Sequence, residues 1–277
     1  MAFGTLAIFA KFAFERGAQS VPLLASRFAT AALLLFVFHL VTGRSVGLRS
    51  SALRMMLLGG VGYAFESTLF FMALQHAPAA VVGLVFYSYP LWTTLLALAI
   101  GLERYRIRIA LALICGTAGV SLIFSLKSSS LTGPLLALSA AVAVALFLIA
   151  VQKVSTGMDP FNIALWTATG AAISLSGVAV VTQSSLPGRA LPYAGALGFV
   201  TALAFVALYG SISRIGSSRS SIAMMLEPVT TVILAAVFLS ESLTLRIILG
   251  AALVATALPL LASTPATPSS QERIDLQ

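Results

Sequence analysis

Residues 86–103 read FYSYPLWTTLLALAIGLE, an apolar run with Pro90 early in it and Glu103 at its end. The chain writes the pattern again at 224–241, MMLEPVTTVILAAVFLSE, with Pro228 and Glu241 in the corresponding places. Each pair stands 138 residues apart, and at that spacing Thr93 also matches Thr231, Leu96 matches Leu234, Arg108 matches Arg246 and Pro22 matches Pro160. A spacing held without net gap from Pro22 to Leu111 marks an internal duplication. The unit is too long for a solenoid module and reads as half of a domain.

Composition says where such a domain lives. The chain has 277 residues, 59% hydrophobic and 9% charged. A soluble globular chain carries about 25% charged residues, so too little polar surface remains to cover a particle in water. The net charge of +8 raises the question of nucleic acid. The basic residues fall singly between apolar runs rather than on one face, which argues against that partner. Cys115 is the single cysteine, so there is neither a disulfide framework nor a zinc pattern. There is no GxSxG, no phosphate-binding loop and no cofactor motif, and His39 and His76 lie at the edges of separate runs. The expectation is a membrane protein that is not an enzyme.

A spanning helix needs about 20 mainly apolar residues. Ten segments qualify, at roughly 2–15, 21–42, 53–73, 79–100, 107–126, 132–152, 160–182, 191–212, 220–239 and 244–262, sized by that criterion. The first is short, and it lacks the basic leader and the A-x-A site of a cleaved signal peptide. Connections are short and punctuated by Gly, Pro and Ser. The expected organisation is 1–126 as the first repeat, 131–262 as the second, and 263–277 as a Pro/Ser-rich disordered tail.

Lys and Arg set the orientation. With a cytoplasmic N-terminus, Arg44, Arg49, Arg54, Arg104, Arg106, Arg108, Lys153, Arg214, Arg219 and Arg273 fall inside, and Arg16, Lys127, Arg189 and Arg246 outside. Lys11 and Arg27 lie within segments. Ten spans place both termini in the cytoplasm, and an odd number of helices per repeat makes the second copy enter from the opposite side. Pro90 and Pro228 then both fall near the midplane of a hydrocarbon core about 30 Å thick.

A proline inside a helix leaves the carbonyl four residues back without its donor, and in a membrane such a kink belongs against protein or a watered cavity. Two kinked helices meeting at the midplane of inverted repeats are the arrangement of a secondary transporter. A kink that only shapes packing is the plainer alternative. Glu66 and Glu227 are the intramembrane carboxylates. A central charge costs about 2.5–3.5 kcal/mol on insertion scales, so each faces the bundle, pairs or is protonated. They read as groups for substrate-amine binding or proton coupling, or else as structural partners of Lys11 or Arg27. Arg27 is expected to snorkel or to pair with a carboxylate. Tyr63 lies beside Glu66, and Tyr87, Tyr89 and Trp92 flank Pro90, where their rings could stack on a planar solute. Thr93, Thr94, Thr230 and Thr231 read mainly as partners of backbone carbonyls, with Thr231 also on the helical face of Glu227. Glu103 and Glu241 read as caps of tight corners.

The run MALQHAPAAVVGLVFYSYPLWTTLLALAIGLERYRIRIALALICGTAGVSLIF resembles the first EamA repeat of the drug/metabolite transporter superfamily, and IAMMLEPVTTVILAAVFLSESLTLRIILGAALVATALPLL resembles the second. LLASRFATAALLL and FGTLAIFAKFAF also look like that family. The resemblance implies an all-α integral membrane fold of ten helices, two inverted five-helix repeats around a central cavity. It implies export or exchange of small metabolites, including amino acids and nucleosides, across the inner membrane. Segments four and nine, with one, three, six and eight, would line the cavity, Pro90 and Pro228 would mark the kinks, and Tyr87 and Glu227 would lie near it. The partners expected are a small solute, the lipid bilayer and protons. The rival expectation is a multi-pass scaffold or sensor partner that transports nothing.

Overall fold

The computed structural model describes residues 2–46, 50–101, 131–224 and 244–262, with single positions between them at 107, 110, 111, 114, 115, 118, 227, 234 and 236–239. Most of segment five and part of segment nine lie outside the described residues, as do Pro228, Thr230, Thr231, Glu103 and Glu241. Among the described residues the fold is helical without strands. Long apolar runs have no period-2 alternation, and in lipid a backbone that cannot reach water must satisfy its own hydrogen bonds, which a helix does within one segment.

A short 3-10 turn at Ala2–Thr5 leads into α1 (Leu6–Glu15). Then come α2 (Ser20–Thr42), α3 (Ser50–His76) and α4 (Ala79–Ala99), the first four expected segments. The sixth, seventh and eighth are α5 (Thr132–Val154), α6 (Pro160–Val181) and α7 (Leu191–Ala223), and the tenth is α8 (Leu245–Ala262). Six helices among the described residues are long and apolar enough to cross a membrane. Their outer faces suit lipid: on α2, Leu33, Phe36, Val37, Leu40 and Val41 are exposed, while Leu23, Leu24, Phe28 and Ala31 are buried. An apolar patch of this extent on the outside of a protein needs an apolar solvent.

The packing places α2 against α6 and α7, α3 against α5 and α6, and α1 against α7. The α3–α6 crossing is very close. A Cβ on Gly59 would stand 2.2 Å from the Thr167 carbonyl oxygen, and one on Gly170 only 1.8 Å from that of Met56. Small residues let backbones approach this way where no hydrophobic effect drives helices together. At the same crossing α3 opens into a π-helical stretch, Leu58–Tyr63, before resuming at Ala64. Such stretches shift the helix face downstream of them. Tyr63, its last residue, and Glu66, three residues on, turn inward, 6% and 4% exposed.

Two other breaks matter. α4 is interrupted between Phe86 and Tyr89, and Pro90 sits in the first turn of the resumed helix. Proline fits there because an N-terminal N–H has no intrahelical partner in any case. Thr93 and Thr94 donate to the carbonyls of Tyr89 and Pro90, at 2.9 and 2.8 Å. In α7 the break is Gly216, with φ 81° and ψ 169°, a conformation that glycine adopts without a Cβ penalty. Gln152 of α5 closes that corner by accepting from the Ser217 N–H at 3.0 Å and from the Ser217 hydroxyl. At the α3–α4 corner Lys11 of α1 donates to the Ala77 carbonyl at 2.8 Å.

Candidate functional site

The first turn of the chain, α2, α3, α4, α5 and α7 enclose one cleft, with Glu227 in its wall. Its space free of atoms, counted out to the mouth, is about 550 Å³. Most of the wall is apolar: Leu6, Phe70, Phe86, Val144, Leu148 and Leu208 line it. The polar groups are few and all buried: Arg27, Tyr63, Glu66, Ser67, Tyr87, Tyr89 and Glu227.

Each of these polar groups is held differently. Glu227 is 3% exposed and accepts from the Phe3 backbone N–H at 3.3 Å and from the Tyr87 hydroxyl at 3.4 Å. A carboxylate from near the chain's end is thereby fixed by the 3-10 turn at its start and by α4. Glu66 accepts from the Ser67 hydroxyl at 3.0 Å. Arg27 is 2% exposed, and its Nε donates to the Thr201 hydroxyl of α7 at 2.7 Å. Thr201 passes its own proton to the Leu197 carbonyl at 2.6 Å, so its oxygen lone pairs face the guanidinium. The guanidinium carbon lies 4.7 Å from the Phe28 ring centroid and 5.4 Å from that of Phe71, within cation–π range. Among the described residues no carboxylate lies within ion-pair distance of it. The aromatic wall is continuous: Phe86 stands 4.7 Å from Phe70 and 5.6 Å from both Tyr87 and Tyr89, centroid to centroid.

This arrangement has a lipid-facing exterior, an apolar passage and a few ionisable groups placed opposite one another. The family model for the EamA-like transporter family matches residues 1–125 and again 131–263. The chain belongs to the EamA-like transporter family.

It is a multi-pass membrane transporter. It is 24% identical over 250 residues to a Bacillus subtilis (strain 168) protein named "Uncharacterized transporter YoaV", with 84% of each chain covered. A solved structure titled only "Crystal structure of protein" shares the fold at a TM-score of 0.70 and 19% identity, over 95% of both chains.

Within this EamA fold the residues singled out from sequence divide. Glu66, Glu227, Tyr63, Tyr87 and Tyr89 come together at the cleft. Trp92 and Lys11 are not among its lining residues. Trp92 donates its ring N–H to the Ser88 hydroxyl at 3.2 Å, and Lys11 serves the Ala77 carbonyl. Thr231 and Pro228 lie outside the described residues. Of the two alternatives for Arg27, snorkelling is corrected, while the charge of Glu66 acts on it from outside ion-pair distance. It is enclosed between α2, α3 and α7, where Thr201 and two phenyl rings receive it. Sequence reasoning also missed Phe3 and Ser67. Ser67 could have been found as the neighbour of a buried carboxylate, whereas Phe3 contributes a backbone N–H that has no sequence signature.

Proposed function

We propose that the protein is a secondary transporter, an exporter of a small metabolite such as an amino acid or nucleoside across the inner membrane, driven by protons. The observation that carries this reading is the single cleft into which both halves send buried ionisable groups: Arg27 and Glu66 from the first, Glu227 from the second. Lone scaffolding helices have no reason to carry such groups at the cost of burying them.

The reading takes the fold as ten helices in two inverted repeats, 1–126 and 131–262, with alternating access around segments four and nine, and places both termini in the cytoplasm. The packing supports it. α3 crosses α6 at Gly60, and α7 crosses α2 at Gly198, whose Cβ would stand 2.4 Å from the Thr30 Cβ. Gly60 and Gly198 stand 138 residues apart, the spacing of the duplication. The pairing of α3 with α5 likewise has its counterpart in α7 with α1. Rocking one repeat against the other would expose the cleft to alternate sides.

Purified protein in liposomes, loaded with unlabelled amino acids or nucleosides and given the labelled solute outside, should accumulate label by counterflow above empty liposomes. Absence of counterflow for both classes would favour the non-transporting scaffold. A cytoplasm-active reporter fused after Gln277 should be active and an export-dependent one silent. The reverse pair of signals would overturn the orientation.

A further inference from the structure

Arg27 is a built site without an occupant that its position explains. Four groups fix the guanidinium: the Thr201 hydroxyl on Nε, the Tyr63 hydroxyl, the Phe28 ring and the Phe71 ring. Its Nε donates to Thr201, and the Tyr63 hydroxyl is a second side-chain hydrogen-bond partner. Two hydroxyl partners do not use all five N–H donors of a guanidinium, and this one is 98% buried by area and forms part of the cleft wall. Burying a cation is costly unless its charge and its donors are both met. A structural arginine would be met by a carboxylate of its own protein. Here Glu66 acts on its charge only from outside ion-pair distance, and Glu227, in the same cleft, is engaged with Phe3 and Tyr87.

The planar fork of a guanidinium matches a planar oxyanion with two parallel hydrogen bonds. The rest of the cleft is aliphatic and aromatic, which suits an apolar body. The two carboxylates sharing the cleft disfavour a group of higher charge such as a phosphate more than a single carboxylate, since repulsion between like charges grows with the charge. We infer that Arg27 is the docking point for the carboxylate of the carried solute, a monoanionic organic acid group on a largely apolar body, and that Thr201 is the residue that orients it. This inference rests on the reading of the cleft as the solute route.

Benzoate and benzamide test it, because they share ring and shape and differ in charge. Binding to the full-length protein in detergent is followed by thermal unfolding at neutral pH, with sodium chloride balancing ionic strength. The parent should be stabilised by benzoate well beyond benzamide. Arg27→Gln should weaken benzoate about tenfold or more and leave benzamide within about twofold, the size expected for lost charge-assisted hydrogen bonds. Thr201→Val keeps the charge and removes its orienting partner, and should erase part of the benzoate preference. Equal effects of the two probes on the parent overturn the inference, as does a benzoate preference that survives Arg27→Gln. If Arg27→Gln does not fold, an unchanged preference in Thr201→Val overturns it instead. The outcomes are separable from those of the transport reading. Benzoate binding through Arg27 without counterflow of any solute sinks transport and keeps the site. Counterflow without a benzoate preference does the opposite.

Discussion

Glu227→Gln is expected to abolish uphill, pH-driven transport while leaving solute-for-solute exchange in place. Glutamine keeps the size of the side chain: its carbonyl oxygen can still accept from the Phe3 N–H at 3.3 Å, and its NH2, in place of the oxygen 3.4 Å from Tyr87, can donate to the Tyr87 hydroxyl oxygen. What disappears is the ability to bind and release a proton. A carrier that cannot cycle its proton still alternates with solute bound, but its accumulation ratio under an imposed pH gradient falls to that of passive equilibration. Glu66→Gln is the comparison. That carboxylate faces the same cleft and is held only locally, by Ser67 at 3.0 Å. Uphill transport that persists in Glu227→Gln and fails in Glu66→Gln would transfer the coupling role to Glu66. Full pH-driven transport in both variants would remove these residues from coupling altogether.

The largest structural effect is expected at Gly170. Even the first carbon of a side chain there would stand 1.8 Å from the Met56 carbonyl oxygen, and Gly60 N lies only 3.0 Å away. Both obstacles are backbone, so neither can rotate aside and the two helices must separate. Gly170→Val should therefore cost about 3 kcal/mol or more, at or beyond the upper range for overpacked cores. It should appear as a large drop in the thermal midpoint in detergent and as less protein in the membrane. Gly177→Val, in the same helix but with nothing within 4 Å of its Cβ, should unfold close to the parent. Matching midpoints for the two variants would show that α3 and α6 are free to part and that the crossing is not a constraint.

Much of this molecule is legible from residues alone, for local reasons. Apolar runs of about 20 residues become helices because the backbone must bond to itself in lipid, whatever its neighbours do. The pairing of Pro90 with Pro228 is a property of spacing. Glu66 and Glu227 stand out because an acid inside an apolar run is costly and therefore rarely idle. Tyr63, Tyr87 and Tyr89 follow by proximity to them, and the structure gathers all five side chains at one cleft.

Proximity also misleads, and Trp92 shows why. It is two residues beyond Pro90, as close as other residues of the cleft wall, yet the break between Phe86 and Tyr89 turns its ring toward Ser88. Lys11, a charge inside a segment, looks equivalent to Glu66 in a hydropathy reading, but its reach takes it to the backbone corner at Ala77. For Arg27 the sequence leaves snorkelling and pairing with a carboxylate both open because α2 is apolar on nearly every face, and a helix apolar all round carries no signal of which side turns inward.

The sequence by itself determined that this chain is a multi-pass helical membrane protein written twice, with two acids and several tyrosines inside its apolar runs. Only the tertiary structure decided that Arg27 joins those acids. Its partner Thr201 lies 174 residues away, and the aromatic seat depends on Phe71 arriving from another helix. The same holds for the Gly59–Thr167 and Met56–Gly170 contacts. Hydropathy and backbone hydrogen bonding act within a segment and so are written in it, whereas the facing of a uniformly apolar helix is set by which neighbour it packs against.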